Sequence, residues 1–270
     1  MTEYPFFQID AFASKAFEGN QACVIPMDSF PDDDVLLAIA AENNVAETAY
    51  IVPSESGRWK IRWFTPGLEV PLCGHATLAS AHALFSHMNV DGTQIVFETR
   101  KAGELTVDRT ETGYLMDFPA PPVAEAAITD EISDALGVRP IAAWGGPFYA
   151  AMFDSPETVK ALAPDIKALK ALGSDVPSDR GNFGCFALGG DDVDVTSRVF
   201  APGSGIDEDP ATGSWHCVLA AVMAQSQDKT DVRCFQAYPG RGAHIHTRLD
   251  GDRVKIAGRA VTVIEGIFRL

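Results

Sequence analysis

The chain has 270 residues, 46% of them hydrophobic and 21% charged, enough apolar material for one large core or two smaller ones. Against 21 basic side chains stand 37 acidic ones, and the net charge of −16 repels nucleic acid and anionic membrane, which leaves a soluble enzyme or a protein-binding module. No run reaches the length of a membrane-spanning helix, and the start MTEYPFFQIDAF carries an early acid and no long apolar stretch, unlike a secretory leader.

In the first half, FFQIDAF, ACVIPM, TAYIVPS, KIRWFTP, QIVFETR, GELTVDR and GYLMDFP are short, rich in β-branched and aromatic residues, and bounded by turn residues, as strands are. Between them DDDVLLAIAAENN opens on acids, as a helix start prefers. HATLASAHALFSHM (75–88) is apolar and small-residue-rich around most of its circumference, the pattern of a helix buried on nearly all sides. Pro119-Ala-Pro-Pro122 reads as an extended linker. Beyond it TDEISDALG and SPETVKALAPDIKALKALG read as amphipathic surface helices, and SWHCVLAAVMAQSQ (214–227) as a second buried one. FYAAMF, CFALGG, DVTSRVFAP, VRCFQAYPG, AHIHTRLDG and RVKIAGRAVTVIEGIFRL supply the later strands; so many short strands predict closed or rolled antiparallel sheets.

The two buried helices expose an internal repeat. Arg62-Trp-Phe-Thr-Pro-Gly67 returns as Arg198-Val-Phe-Ala-Pro-Gly203, each followed by an acidic loop, a glycine turn (Leu72-Cys-Gly-His75 and Thr212-Gly-Ser214) and a buried helix, with three extra loop residues in the second copy. A repeat at half-chain spacing predicts two similar lobes, 1–118 and 119–258, with a C-terminal strand at about 259–270 as a candidate to return to the first.

Two lobes related by a rough two-fold axis would bring the glycine turns to one cleft, where the unpaired amides of two helix starts attract a small anion. His75 sits at the first turn, as a helix cap or as a ligand and proton-handling group; His82 and His87 read as packing or surface residues. Of Asp207, Glu208 and Asp209, two serve as dipole partners of the helix, while Asp209 is constrained in direction by Pro210 and could orient a histidine. Glu47 lies where a helix gives way to the strand TAYIV, among Val45, Ala46 and Ala49, and burial there raises the pKa of an unpaired acid towards general acid–base work. The five cysteines (23, 73, 185, 217 and 234) are scattered and form no CxxC pair, which argues against a disulfide framework or a zinc ribbon and for a reducing cytoplasm. Cys73 stands at an amide-rich turn that could lower its pKa, but the matching position in the second copy is Thr212, so a facing pair of thiol bases is not supported.

Asn20 after Phe17-Glu-Gly, Glu47-Thr-Ala-Tyr, Arg62-Trp-Phe-Thr-Pro with Leu72-Cys-Gly-His-Ala-Thr77, and Glu208-Asp-Pro-Ala-Thr-Gly-Ser214 together resemble the PhzF family of phenazine biosynthesis-like isomerases, over nearly the whole chain. The resemblance implies an α+β, diaminopimelate epimerase-like fold: two pseudo-symmetric lobes, each a β-barrel-like sheet around a central helix, with the site between them. It implies isomerisation by proton movement with no cofactor and no metal, on a small cyclic amino or hydroxy carboxylate. Glu47, His75 and Asp209 take the catalytic positions; Asn20, Gly74, Gly213 and Ser214 fall on positions that hold substrate or catalytic groups. A homodimer is implied, with neither nucleic acid nor membrane as partner. Gln21 stands where the family often has proline, and Trp215 is bulky where a small residue is usual, so an indole pointing into the cleft would line and reshape the pocket. Two other readings are a two-base epimerase or racemase and a non-catalytic small-anion-binding protein of the same fold.

Overall fold

In the computed structural model, which describes residues 1–55 and 57–270, the opening apolar runs pair as antiparallel neighbours, β1 (Glu3–Ala11) with β2 (Asn20–Pro26). They belong to the first of two units, residues 1–117 with 257–270; the second is 118–256. Helix α1 (Asp33–Asn43) carries the chain from β2 to β3 (Glu47–Pro53), which runs parallel to β2. Strand β4 (Trp59–Phe64) is antiparallel to β3, and the short β5 (Glu69–Val70) folds back on its end. Helix α2 (Gly74–Ser86) then crosses to β6 (Gln94–Thr99), parallel to β4, and β7 (Glu104–Thr110) and β8 (Gly113–Pro119) continue antiparallel. The expected antiparallel sheets are therefore mixed, because two parallel neighbours need a long crossover and the two helices supply it.

The second unit repeats this connectivity. Strand β9 (Ala124–Glu125) leads through helix α3 (Asp130–Leu136) to β10 (Ala142–Gly145) and β11 (Tyr149–Met152). Helices α4 (Pro156–Ala161) and α5 (Ile166–Leu172) cross to β12 (Phe183–Leu188), parallel to β11; β13 (Val195–Phe200) is antiparallel to it and pairs the short β14 (Glu208–Asp209). Helix α6 (Gly213–Gln227) crosses to β15 (Asp231–Gln236), parallel to β13, followed by β16 (Ala243–Asp250) and β17 (Arg253–Gly258). The last strand, β18 (Ala260–Arg269), pairs with β1 in the first unit, as β9 pairs with β10 in the second.

SPETVKALAPDIKALKALG forms two helices rather than one. Pro164 lacks an N–H and disfavours a helical residue before it, so α4 stops and Asp165 starts α5 by accepting from the N–H groups of Lys167 and Ala168 at 3.0 Å each. The freed carbonyls of Lys160 and Leu162 accept from Arg198 Nη1 at 3.2 and 2.5 Å.

Both crossover helices that follow the Pro-Gly motif are cores in themselves. Every residue of α2 from His75 to Phe85 except His82 is buried, and its hydroxyls are satisfied within the helix: Thr77 Oγ1 donates to Cys73 O at 2.6 Å and Ser80 Oγ to Ala76 O at 2.7 Å. Its alanines favour the helix and let strands approach closely. His82 instead lies 2.8 Å by Nδ1 from Tyr114 Oη and 3.1 Å by Nε2 from Thr262 Oγ1 of β18, and His87 Nε2 lies 2.7 Å from the same hydroxyl. In the second unit α6 packs Trp215, Val218, Leu219, Val222 and Met223 against Trp144, Phe148, Phe186, Val195 and Val199.

The Trp215 indole is fully buried in that core, with Phe148 and Phe186 ring centroids at 5.9 and 6.1 Å. The ring is part of the core of its unit, and Gly184 leaves it space there: a Cβ at that position would sit 2.1 Å from the ring. Gly184→Ala is expected to destabilise by about 1–3 kcal/mol through overpacking, read as a lower urea midpoint, with much of the loss recovered in the Gly184→Ala, Trp215→Leu double variant. Equal loss in single and double variants would mean that the glycine serves another purpose.

His216 is wholly buried on the same helix. Its Nδ1 donates to Thr212 O at 2.8 Å, and burial pushes its pKa from 6.5 down to about 4. The unfolded chain therefore binds a proton that the folded chain refuses between those values, and stability present above pH 6.5 is lost as pH falls towards 4, by on the order of 3 kcal/mol for this residue. His216→Asn is expected to flatten that acid limb in urea unfolding measured from pH 7 to 4; an unchanged slope would assign it to other groups.

Candidate active site

The two copies of the motif build the same scaffold. Arg62 is buried on β4 and grips Glu69 of β5 with two parallel bonds, Nε and Nη2 each 2.8 Å from a carboxylate oxygen; Arg198 on β13 grips Glu208 of β14 in the same way, at 2.8 and 2.8 Å. The guanidinium carbons lie 5.0 and 4.9 Å from the rings of Phe64 and Phe200. Each fork pins the short strand that leads into the buried helix. At both helix starts the preceding residue, Cys73 or Thr212, is extended and makes no capping bond with its side chain, so the first amides are left uncapped by it.

In the first unit four elements converge. Asn44, in the left-handed conformation (φ 49°), closes α1 and turns the chain, so that Glu47 emerges as the first residue of β3 opposite Ala22. Its half-buried carboxylate lies 3.1 Å by Oε2 from Nε2 of the buried His75. Asn20 opens β2, with Nδ2 3.3 Å from His75 Nδ1. Gly19 makes that possible: its φ is +61°, and a Cβ there would lie 2.0 Å from Ala11 O. Cys73 Sγ is 3.5 Å from Nδ1 and 4.0 Å from Nε2 of the same ring.

Glu47 is therefore not the unpaired acid of the sequence reading. Burial opposes charge on His75, but the Glu47 carboxylate beside the ring favours it, and the ring's pKa is held well above the usual 6.5. Burial pushes the Cys73 thiol up rather than down, so the turn does not make a thiolate of it. With the Asn20 amide donating to Nδ1, the neutral ring keeps its proton on Nε2 and donates it to Glu47. When the ring is charged, the amide presents its oxygen instead. The arrangement can hold a proton, release it and stay hydrogen-bonded in both states.

In the second unit Asp209, on β14 opposite Val199, is fixed by its neighbours rather than by Pro210 alone. Thr212 Oγ1 donates to Asp209 Oδ2 at 2.6 Å and accepts from Gln236 Nε2 at 3.2 Å, so the hydroxyl faces these two residues and not the helix amides. Gln236 of β15 closes the turn: its Oε1 accepts from Thr212 N at 2.9 Å and its Nε2 donates to Asp209 O at 2.6 Å. Gly213 is buried and Ser214 exposed at the helix start. Gly74 holds the matching place before His75 in the first unit.

Two residues of this scaffold escape a reading of the sequence. Gln236 carries no motif. Asn182 is the ladder counterpart of Glu47, since Thr48 pairs with Phe64 as Phe183 pairs with Phe200. The hairpin of the second copy is one residue longer, so the sequence offset of the motif points to Phe183 instead. Asn182 is buried, donates to Ser204 Oγ at 2.7 Å, and its Oδ1 finds no donor among the described residues.

The profile of the phenazine biosynthesis-like protein family (PhzC-PhzF) matches residues 9–266. An uncharacterized isomerase of Pseudomonas aeruginosa is 42% identical over 266 residues, which covers 98% of this chain and 98% of that protein. The crystal structure of a PhzF family phenazine biosynthesis protein from Enterococcus faecalis superposes with a TM-score of 0.93 at 35% identity, covering all of both chains. A hydroxyproline epimerase from Agrobacterium vitis is similar at a TM-score of 0.63 and 13% identity over 98% of this chain and 92% of its own, a likeness of fold alone. With its matched motifs, its twice-built strand–turn–helix scaffold and these relatives, the chain belongs to the phenazine biosynthesis-like family and is an isomerase of the PhzF type.

Proposed function

We propose that the protein moves a proton between two carbons of a small cyclic amino or hydroxy carboxylate, with side chains alone and Glu47 as the base. The observation that carries this reading is the half-buried Glu47 carboxylate 3.1 Å from a buried histidine at the start of a helix whose first amides lack a side-chain cap. A carboxylate so held accepts a proton without leaving its position, because the His75 bond orients it in both protonation states. Glu47 takes the proton from the activated carbon and returns it to a second carbon on the same face. Gly74, Gly213 and Ser214 offer helix-start amides to the substrate's carboxylate. Asp209, braced by Thr212, and Asn20, against His75, orient substrate and ring.

Two measurements test this. Candidate carboxylates incubated in deuterated water with wild type should gain deuterium at one carbon only, and Glu47→Gln, which keeps shape but cannot take a proton, should lower turnover by about 100- to 10,000-fold. Wild type no faster than the variant on every candidate would favour the non-catalytic anion-binding reading. A substrate labelled with deuterium at the donor carbon should deliver part of its label to the acceptor carbon of the product in ordinary water, since one carboxyl carries the proton across. Complete loss of label to solvent would favour two bases on opposite faces.

A further inference from the structure

The chemistry proposed above leaves Cys73 without a task, although its sulfur lies in contact with the His75 ring. We propose that Glu47, Cys73 and His75 form an inhibitory binding site for a soft divalent cation, zinc(II) above all; the binding stands by itself, and only its inhibitory effect rests on Glu47 being the base. One carboxylate oxygen, one sulfur and one imidazole nitrogen from these residues all lie within 4.8 Å of one another. Glu47 Oε2 and His75 Nε2 are 3.1 Å apart, and Cys73 Sγ is 4.0 Å from Nε2.

Bonds of about 2.0 Å to nitrogen and oxygen and about 2.3 Å to sulfur place the donors of a tetrahedral zinc roughly 3.3–3.8 Å apart. The Glu47–His75 and Cys73–His75 separations, 3.1 and 4.0 Å, lie just either side of that range and the third is within 4.8 Å, so closing the set requires the Cys73 side chain to rotate from its place 3.5 Å from Nδ1 towards Nε2. They are also the types that select zinc over magnesium or calcium, which prefer oxygen alone. The protein ligands number three, so a fourth position stays open for water or a substrate carboxylate. Asn20 completes the arrangement from behind: its Nδ2 lies 3.3 Å from Nδ1, and with the metal on Nε2 and the amide turned over to present its oxygen, the ring keeps its proton on Nδ1 and donates it there, the outer contact that metal-bound histidines require. Binding expels the thiol proton of Cys73 and the proton shared by His75 and Glu47, and the carboxylate that should collect the substrate's proton becomes a ligand instead. Entry is from the side of Glu47, whose carboxylate is the partly exposed member of the three.

Cobalt(II) is the probe, because a cobalt–thiolate bond gives an intense near-ultraviolet charge-transfer band that reads binding without any substrate. Titration of the intact protein with cobalt(II) should raise this band to one equivalent, and zinc(II) should abolish it. Cys73→Ser should remove the band, while Cys217→Ser, a buried thiol of the second unit outside the cluster, should keep it. Glu47→Gln and His75→Gln, each retaining the sulfur, should keep a band but weaken cobalt affinity by about tenfold or more. Absence of a band in wild type, its persistence in Cys73→Ser, or unchanged affinity in both Glu47→Gln and His75→Gln would each overturn the proposal. Should Cys73→Ser lose its native circular dichroism, the two glutamine variants decide it. These readings are independent of turnover, so a silent enzyme with a metal site and an active enzyme without one are told apart.

Discussion

A guanidinium buried to about 6% exposure is tolerable only if a carboxylate meets it squarely, and this molecule makes that demand twice. Arg62 and Arg198 each sit inside a strand, each on the ring of the phenylalanine two residues later, and each gripped by a glutamate across a turn. Removing Glu208 would leave the Arg198 charge without its carboxylate, at a cost of about 3–5 kcal/mol, whereas Arg62 would still keep Asp33 at 2.8 Å. Each turn has one conformation for that reason, although its length differs between the copies. The three extra residues of the second copy loop out at 203–207 while the fork and the entry to the helix stay the same.

That entry sets the condition for everything downstream. A helix surrounded by strands must satisfy its own polar groups, so Thr77 and Ser80 bond back to preceding carbonyls and His216 does the same to Thr212. Its first amides have no side-chain cap, since Cys73 carries no oxygen and the Thr212 hydroxyl faces Asp209 and Gln236 instead. What is left at both starts is donor capacity that suits an anion.

The parts of this arrangement that are local in sequence were legible there. The repeat, both buried helices and the acids before the second are written in consecutive residues, and the Pro164 break could have been read from the same rule that defines helix ends. What depends on the third dimension was not. Glu47 reaches His75 across 28 positions because β3 and α2 meet around β2, and nothing near Glu47 announces its partner. Trp215 suggested a reshaped pocket, and the residue that gives its ring space in the core, Gly184, lies on a strand 31 positions earlier. Asn182 was hidden by a single extra hairpin residue that shifts the ladder against the sequence offset.

The scaffold is duplicated, but the chemistry is not. At matching turns the first copy carries Cys73 and His75, the second Thr212 and Ser214; at matching short strands the second carries Asp209 where the first has Val70. The first copy thus places an imidazole between a carboxylate and a thiol, and the second holds a carboxylate braced by the Thr212 hydroxyl, with Gln236 on the backbone carbonyl of the same residue. A thiol pair acting from both turns has no partner in Thr212, whose hydroxyl is already committed. Cys217, one turn further in, is buried with its pKa pushed up to about 12. Duplication of the fork and turn therefore fixes where a side chain stands, while the residue placed there differs: an imidazole against a carboxylate in the first copy, a carboxylate against a hydroxyl in the second.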